Sequence, residues 1–235
     1  MEEGVEEQGL VVPGVREDAQ RAFLAKVFGW MFLGLLITAG VAAWFSQTVD
    51  MATFVADNPF VLIGTGIAQL VLVIALVAMV NRISPALATA MFLLYSGLTG
   101  FLFSMIVSAY TPGSIASTFA ITAGMFGAMA IYGFVTKRDL SSLGAILFMG
   151  LIGFIIGSIV NLIWFNETIY WVLTGIGILI FCGLTAYDMQ KLKEIGAGEM
   201  DEEASDRAAI VGALALYLDF INLFLLLLRI FGSSR

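Results

Sequence analysis

Seven uninterrupted apolar runs decide what this chain can become. They cover residues 23–46, 59–80, 85–109, 113–135, 142–165, 168–190 and 208–231, each near the ~20 residues a helix needs to cross a bilayer. Of the 235 residues, 60% are hydrophobic and 12% charged, below half the charge of an ordinary soluble domain. No single water-soluble core hides that much apolar surface, so lipid must serve as solvent. A membrane barrel would show short alternating segments, and none appear. Connections are short except between the sixth and seventh runs. The chain therefore reads as an all-α membrane protein, a seven-transmembrane-helix bundle over residues 21–232. An acidic tail at 1–20, read as disordered, precedes it, and 233–235 form a C-terminal tail.

What little charge there is falls in blocks. Net charge is −7, with Glu2, Glu3, Glu6, Glu7, Glu17 and Asp18 near the start and Glu194, Glu199, Asp201, Glu202, Glu203 and Asp206 in the late connection. Such runs read as solvated segments and speak against a nucleic-acid partner. The acidic, polar start does not read as a cleaved signal peptide. Cys182 is the lone cysteine, so a disulfide within the chain is excluded. Histidine is missing altogether, which removes the commonest metal ligand and leaves carboxylates to sense pH. No cofactor is implied, and the chain is not read as an enzyme.

Lysine and arginine set the orientation. Arg16, Arg21 and Lys26 precede or open the first run, Arg82 follows the second, Lys137 and Arg138 the fourth, and Lys191, Lys193 and Arg207 flank the last connection. The alternate connections, 47–58, 110–112 and 166–167, hold Asp50, Asp57 and Glu167 but no base. The N-terminus is thus expected in the cytoplasm. Arg229 and Arg235 break the pattern if the last run spans fully; a re-entrant last segment with a cytoplasmic C-terminus is the alternative. Small residues at Gly150, Gly153 and Gly157, at Ser96 and Gly100, and at Ala123 and Gly127 mark seams where helices can approach closely in lipid.

Sorting charges by depth isolates two. Lys26 and Arg229 lie near helix ends and can snorkel, leaving Asp188 in TAYDMQKLKE and Asp219 in LYLDFINLFLLLL. A carboxylate at mid-membrane costs roughly 2.5–3.5 kcal/mol on insertion scales and needs compensation. Asp188 lies ~9 Å below the face where its helix leaves the membrane, and Asp219 ~15 Å below the same face, at 1.5 Å per residue. On antiparallel neighbours they would sit at similar levels, share a proton and titrate as one unit near neutral pH. Thr174, Gly177 and Thr185 recur near the Asp188 face, and Gly212, Ala215 and Asn222 lie on the Asp219 face. The competing view of Asp188 is a cap or ion pair at the membrane edge with Lys191 or Arg82.

LTAYDMQKLKE, a short charged connection and a last helix with a central Asp together resemble the signature of the Bax-inhibitor family, also called transmembrane Bax-inhibitor-motif or lifeguard proteins. The likeness runs from about Gln20 through Gly232, with Tyr187 and Asp188 its most specific pair, and the short loops look like a bacterial-type member. The resemblance implies a last helix at the centre of the other six and a proton-sensitive calcium leak across a bacterial inner membrane. It further implies Asp188 and Asp219 as the sensor on the ion's path and Arg82 as a latch against the sixth-helix acid; Asn222, Thr185 and Tyr187 beside the acids are the candidate supporting residues. Calcium would be cargo, held transiently by the two acids, because it wants six to eight oxygens and water would supply most of them.

Two rivals remain. Intramembrane aspartyl proteases also use paired acids, and Tyr187–Asp188 and Pro85–Ala86–Leu87 resemble two of their motifs. The second acid, however, stands in YLDF rather than G-x-G-D, and the proline motif precedes both acids instead of following them. The other rival is a regulatory binding protein that inhibits a membrane-bound protease, a role associated with some bacterial relatives.

Overall fold

The computed structural model describes residues 13–234, apart from the side chains of residues 13–16 and 52. Among these, eight helices follow one another: α1 (Pro13–Thr48), the short α2 (Met51–Asp57), α3 (Pro59–Met79), α4 (Pro85–Ala109), α5 (Pro112–Val135), α6 (Ser141–Ile163), α7 (Glu167–Ala197) and α8 (Glu202–Phe231). All but α2 are long and apolar enough to cross a membrane, and they coincide with the seven apolar runs. Of the tail read over 1–20, residues 1–12 lie outside the described residues, whereas 13–20 form the first turns of α1. The last tail residue, 235, also lies outside them.

Local chemistry punctuates the bundle. All four prolines stand at the start of a helix, α1, α3, α4 or α5, where a missing N–H loses no hydrogen bond. Ser84, Thr111, Asn166 and Asp201 cap α4, α5, α7 and α8 by accepting a backbone N–H from the first turn. At the head of α6, Asp139 accepts the N–H of Ser141 at 2.8 Å. The Ser141 hydroxyl and N–H together hold the exposed Asp139 carboxyl below its usual range.

The last helix is the hub. In its most apolar stretch 67% of α8 is buried, against 6% for α3 and α6. It packs on α1, α4, α5 and α7, while α3 lies outside on α4 and α6 outside on α7. Lipid is no less apolar than a leucine side chain, so close fit rather than water exclusion drives this packing. A side chain at Gly100 would strike Thr38 and Val41 of α1, one at Gly133 the Ala186 carbonyl of α7, and one at Gly177 both Leu226 and Phe154.

Two of the small-residue seams pack differently from the sequence reading. Gly150 and Gly157 do face α7, through Ile180 and Leu173, but Gly153 looks into open space. Ala123 is exposed and Gly127 meets nothing, so the face of α5 that packs carries Thr118, Thr122, Phe126, Ala130 and Gly133 instead. A four-residue spacing identifies one side of a helix without telling whether lipid or protein covers it.

The two ends of the bundle are tied separately. At one, Gln20 donates to the Lys193 carbonyl (2.7 Å), Lys26 pairs with Asp206 (2.7 Å), Lys193 donates to the Phe134 carbonyl (2.8 Å) and Gln190 to the Arg138 carbonyl (2.8 Å). At the other, the Thr111 N–H donates to the Ser233 carbonyl (3.1 Å) and the Ser233 N–H to Ser114 Oγ (2.8 Å). The 30-residue α8, ~45 Å long at 1.5 Å per residue, therefore runs the full height. This corrects the re-entrant alternative: Gly232–Ser234 end beside the α4–α5 connection, opposite the start of α1.

These contacts predict a contrast between two glycines. Gly133→Val should force α5 and α7 apart, cost ~1–3 kcal/mol and lower the melting temperature in detergent. Gly153→Val, facing open space, should leave it unchanged; equal losses would contradict the packing described.

Candidate functional site

The pairs Gly212–Leu192 and Gly177–Leu226 fix the antiparallel register of α7 and α8. They put Thr185 at the level of Asp219, with Asp188 three residues, ~4.5 Å, nearer the end where α7 and α8 join. Asp219 is 4% exposed and lies within electrostatic reach of Cys182 and Asp188 on α7. The sequence-predicted pair is thus brought together in the seam between these helices.

Hydrogen bonding inside the pair is incomplete. Thr185 stands beside Asp219, but its one proton goes to the Phe181 carbonyl at 2.8 Å; a turn of the hydroxyl would deliver it to the carboxylate instead. Asp219 Oδ2 is buried without a partner, one of two such side-chain atoms among the described residues, the other being Thr118 Oγ1. An unsatisfied buried oxygen carries most of its desolvation penalty.

Asp188 has a different outlook. It is half-buried and opens onto a cavity of about 300 Å³ between α7 and α8, lined also by Asn81, Lys191 and Arg207. The Lys191 ammonium acts electrostatically on it. Arg82 is exposed in the turn after α3 and joins none of the three ion pairs found among the described residues. The bases at the cavity are therefore Lys191 and Arg207.

The remaining site residues point elsewhere. The Tyr187 ring lies over Gly144 of α6, away from Asp219. Asn222 donates to the Leu218 carbonyl (2.8 Å) and lines a separate cavity of about 240 Å³ with Gln69, Tyr95 and Thr99. It belongs to the face of α8 that meets α4, because three residues turn a helix through only about 300° and leave a 60° offset from Asp219.

A polar node that the sequence reading missed adjoins the acids. Tyr217 is fully buried, and its hydroxyl meets Thr38 Oγ1 at 2.6 Å; Thr38 also lies 3.0 Å from the Ser96 carbonyl. Phe92 and Tyr95 stand edge-on to the Tyr217 ring at 5.8 and 5.9 Å. Gln69 reaches from α3 to Thr99 at 2.8 Å. The signal in the sequence is hydroxyls and an amide recurring inside apolar runs; Ser96 counts there as a small packing residue, and its hydroxyl carries the second meaning.

Axially, a packed layer lies between two cavities. The Asp188 cavity reaches Ala215 on α8, and the Asn222 cavity begins at Leu218. Between those positions stand Leu216 and Tyr217, both 0% exposed, with Asp219 directly beyond. One turn of α8 separates the two cavities along its axis.

Six spanning helices arranged about a seventh, with a buried acid on that hub beside a second acid on the preceding helix, define an integral membrane protein of a particular type. The family model described as "Inhibitor of apoptosis-promoting Bax1" matches residues 20–235, and the chain belongs to the Bax-inhibitor family as a bacterial-type member. It is 51% identical over 217 residues to the Inner membrane protein YbhL of Escherichia coli (strain K12), covering 92% of this chain and 93% of that one. It is 45% identical over 214 residues to an uncharacterized protein of Borreliella burgdorferi (91% and 92% covered) and 42% identical over 218 residues to one of Deinococcus radiodurans (93% of each).

The node makes a stability prediction. Tyr217→Phe keeps the ring contacts and removes one hydrogen bond, so it should destabilise by ~0.5–1.5 kcal/mol, whereas Tyr217→Ala should cost ~3–5 kcal/mol, as large aromatic truncations do. Thermal melts in detergent would read both, and equal losses would deny the ring its packing role.

Proposed function

We propose that this protein is a proton-sensitive calcium leak of the bacterial inner membrane, with Asp188 and Asp219 as sensor and cation contact. The observation that carries this reading is the partnerless Oδ2 of Asp219, just beyond the layer that separates two cavities, with a second carboxylate, Asp188, lining one of them. A proton shared between the acids leaves one negative charge; its loss leaves two facing each other. That doubling changes both the repulsion across the α7–α8 seam and its attraction for a cation.

Calcium suits the oxygens available. Two carboxylates supply at most four of the six to eight ligands calcium takes, and among the described residues no third acid or thiol completes a metal-holding group. Water fills the rest, which favours transit over residence. The basic end of the bundle faces the cytoplasm on this reading, as the lysine and arginine bias favours, and the exposed acids Asp201, Glu202 and Glu203 gather cations near that mouth.

Purified protein in liposomes loaded with a calcium dye tests the proposal across a pH series. Wild-type flux should vary with pH, Asp219→Asn should flatten that variation, and Asp188→Asn should move its midpoint because the titration is shared. Superimposable profiles for wild type and both variants would remove the pair from the mechanism.

A further inference from the structure

A second feature of α8 lies on another face, toward the end where the C-terminus docks. A cavity of about 510 Å³ opens there between α1 and α5, and its floor is Phe220, Ile221 and Phe224 of the central helix. Its origin is geometric: α1 packs on α4 while α5 packs on α7, so the two diverge and leave a cleft down to α8. Small side chains keep it open, with Ala39 and Ala42 on α1 and Ala116 on α5.

The chemistry of the walls selects the occupant. Apart from Thr38, every lining residue is apolar, and the Thr38 hydroxyl is already engaged with Tyr217 and two carbonyls. Water needs two to four polar partners to reside in a cavity, and none is free here. A cation finds no oxygen to coordinate. The mouth is continuous with the lipid-facing surface: Phe119, which lines the cavity, is 46% exposed, and Leu36, one position beyond the lining Leu35, is 52% exposed. What lies against that surface at this depth is bilayer hydrocarbon.

The geometry points to a binding site for one phospholipid acyl chain, inserted between α1 and α5 and resting on Phe220, Ile221 and Phe224 of the buried central helix. The chain reaches α8 one residue beyond Asp219 and touches Thr38, the partner of Tyr217. Hydrocarbon thereby buttresses the most buried helix of the bundle.

Photo-crosslinking tests this directly and independently of ion flux. The protein is reconstituted with phosphatidylcholine carrying a diazirine within one acyl chain, irradiated and mapped by peptide mass spectrometry. The expected result is label on the 220–224 segment of α8 as well as on the lipid-facing α3 and α6. Ala116→Trp and, separately, Ala39→Trp should fill the cleft and reduce the α8 label to background while the label on α3 and α6 persists. Ile155→Trp, on the lipid side of α6, should leave the α8 label intact. Label confined to the outer helices in the wild type would overturn the site. So would α8 label that survives both filling substitutions.

Discussion

Inside lipid a polar atom has no solvent to fall back on, so the protein must satisfy it internally or bear the cost. Most of the buried hydroxyls follow this rule in one economical way. Thr38, Ser96, Thr99, Thr122, Thr174 and Thr185 each return their proton to the carbonyl four residues earlier on their own helix. Thr118 does not; the Ser114 carbonyl four residues earlier receives the Ser117 hydroxyl. An orphaned hydroxyl is a modest loss. Among the described residues the one severe exception is Asp219, placed on the most buried helix of the bundle, and the rest of the site is organised around that carboxylate.

The fold makes the exception tolerable by dividing α8 into faces. One face turns to α7 and carries Asp219 toward Thr185 and Asp188. The next meets α1 and α4 through Tyr217, whose hydroxyl binds Thr38 and whose ring is held edge-on by Phe92 and Tyr95. Tyr217 and Asp219 are two residues apart, so an axial shift of α8 large enough to alter the acid pair must also strain the Thr38 contact. Packed interfaces of this kind favour discrete arrangements over gradual sliding. Tyr217 is in that sense the pin against which any change at the acids works.

How far the sequence alone reached follows from what each feature depends on. Span limits were legible because hydropathy reports transfer to lipid residue by residue, and prolines and caps then fix the helix starts. The meeting of Asp188 and Asp219 was legible from depth, since consecutive helices that run antiparallel bring similar depths together. Azimuth was not. Asn222, Tyr187, Ala123 and Gly153 lie at the right heights, yet their bearings around the helix axis are set by tertiary packing, and in lipid an outward face can be as apolar or as small as an inward one. Arg82 failed to appear at the acids for a related reason: it sits in a turn, where neither height nor bearing follows a helical period. The full crossing of α8 needed the Ser233 and Ser114 contact to decide it, because Arg229 had pulled the charge count the other way.

The absence of histidine bears on why the site uses two acids. A protonated histidine becomes positive and repels the cation whose passage it would control, so sensing and binding would have to occupy separate groups. A carboxylate pair changes in the opposite sense: losing its shared proton exposes the negative charge a calcium ion requires. On the proposed function, sensor and ligand are therefore the same four oxygens, and proton and cation compete for them directly. Such competition needs the pair away from bulk water, where screening would weaken it, yet in reach of water on one side. Asp219 in the core and Asp188 at the edge of a cavity meet these two demands with one residue each.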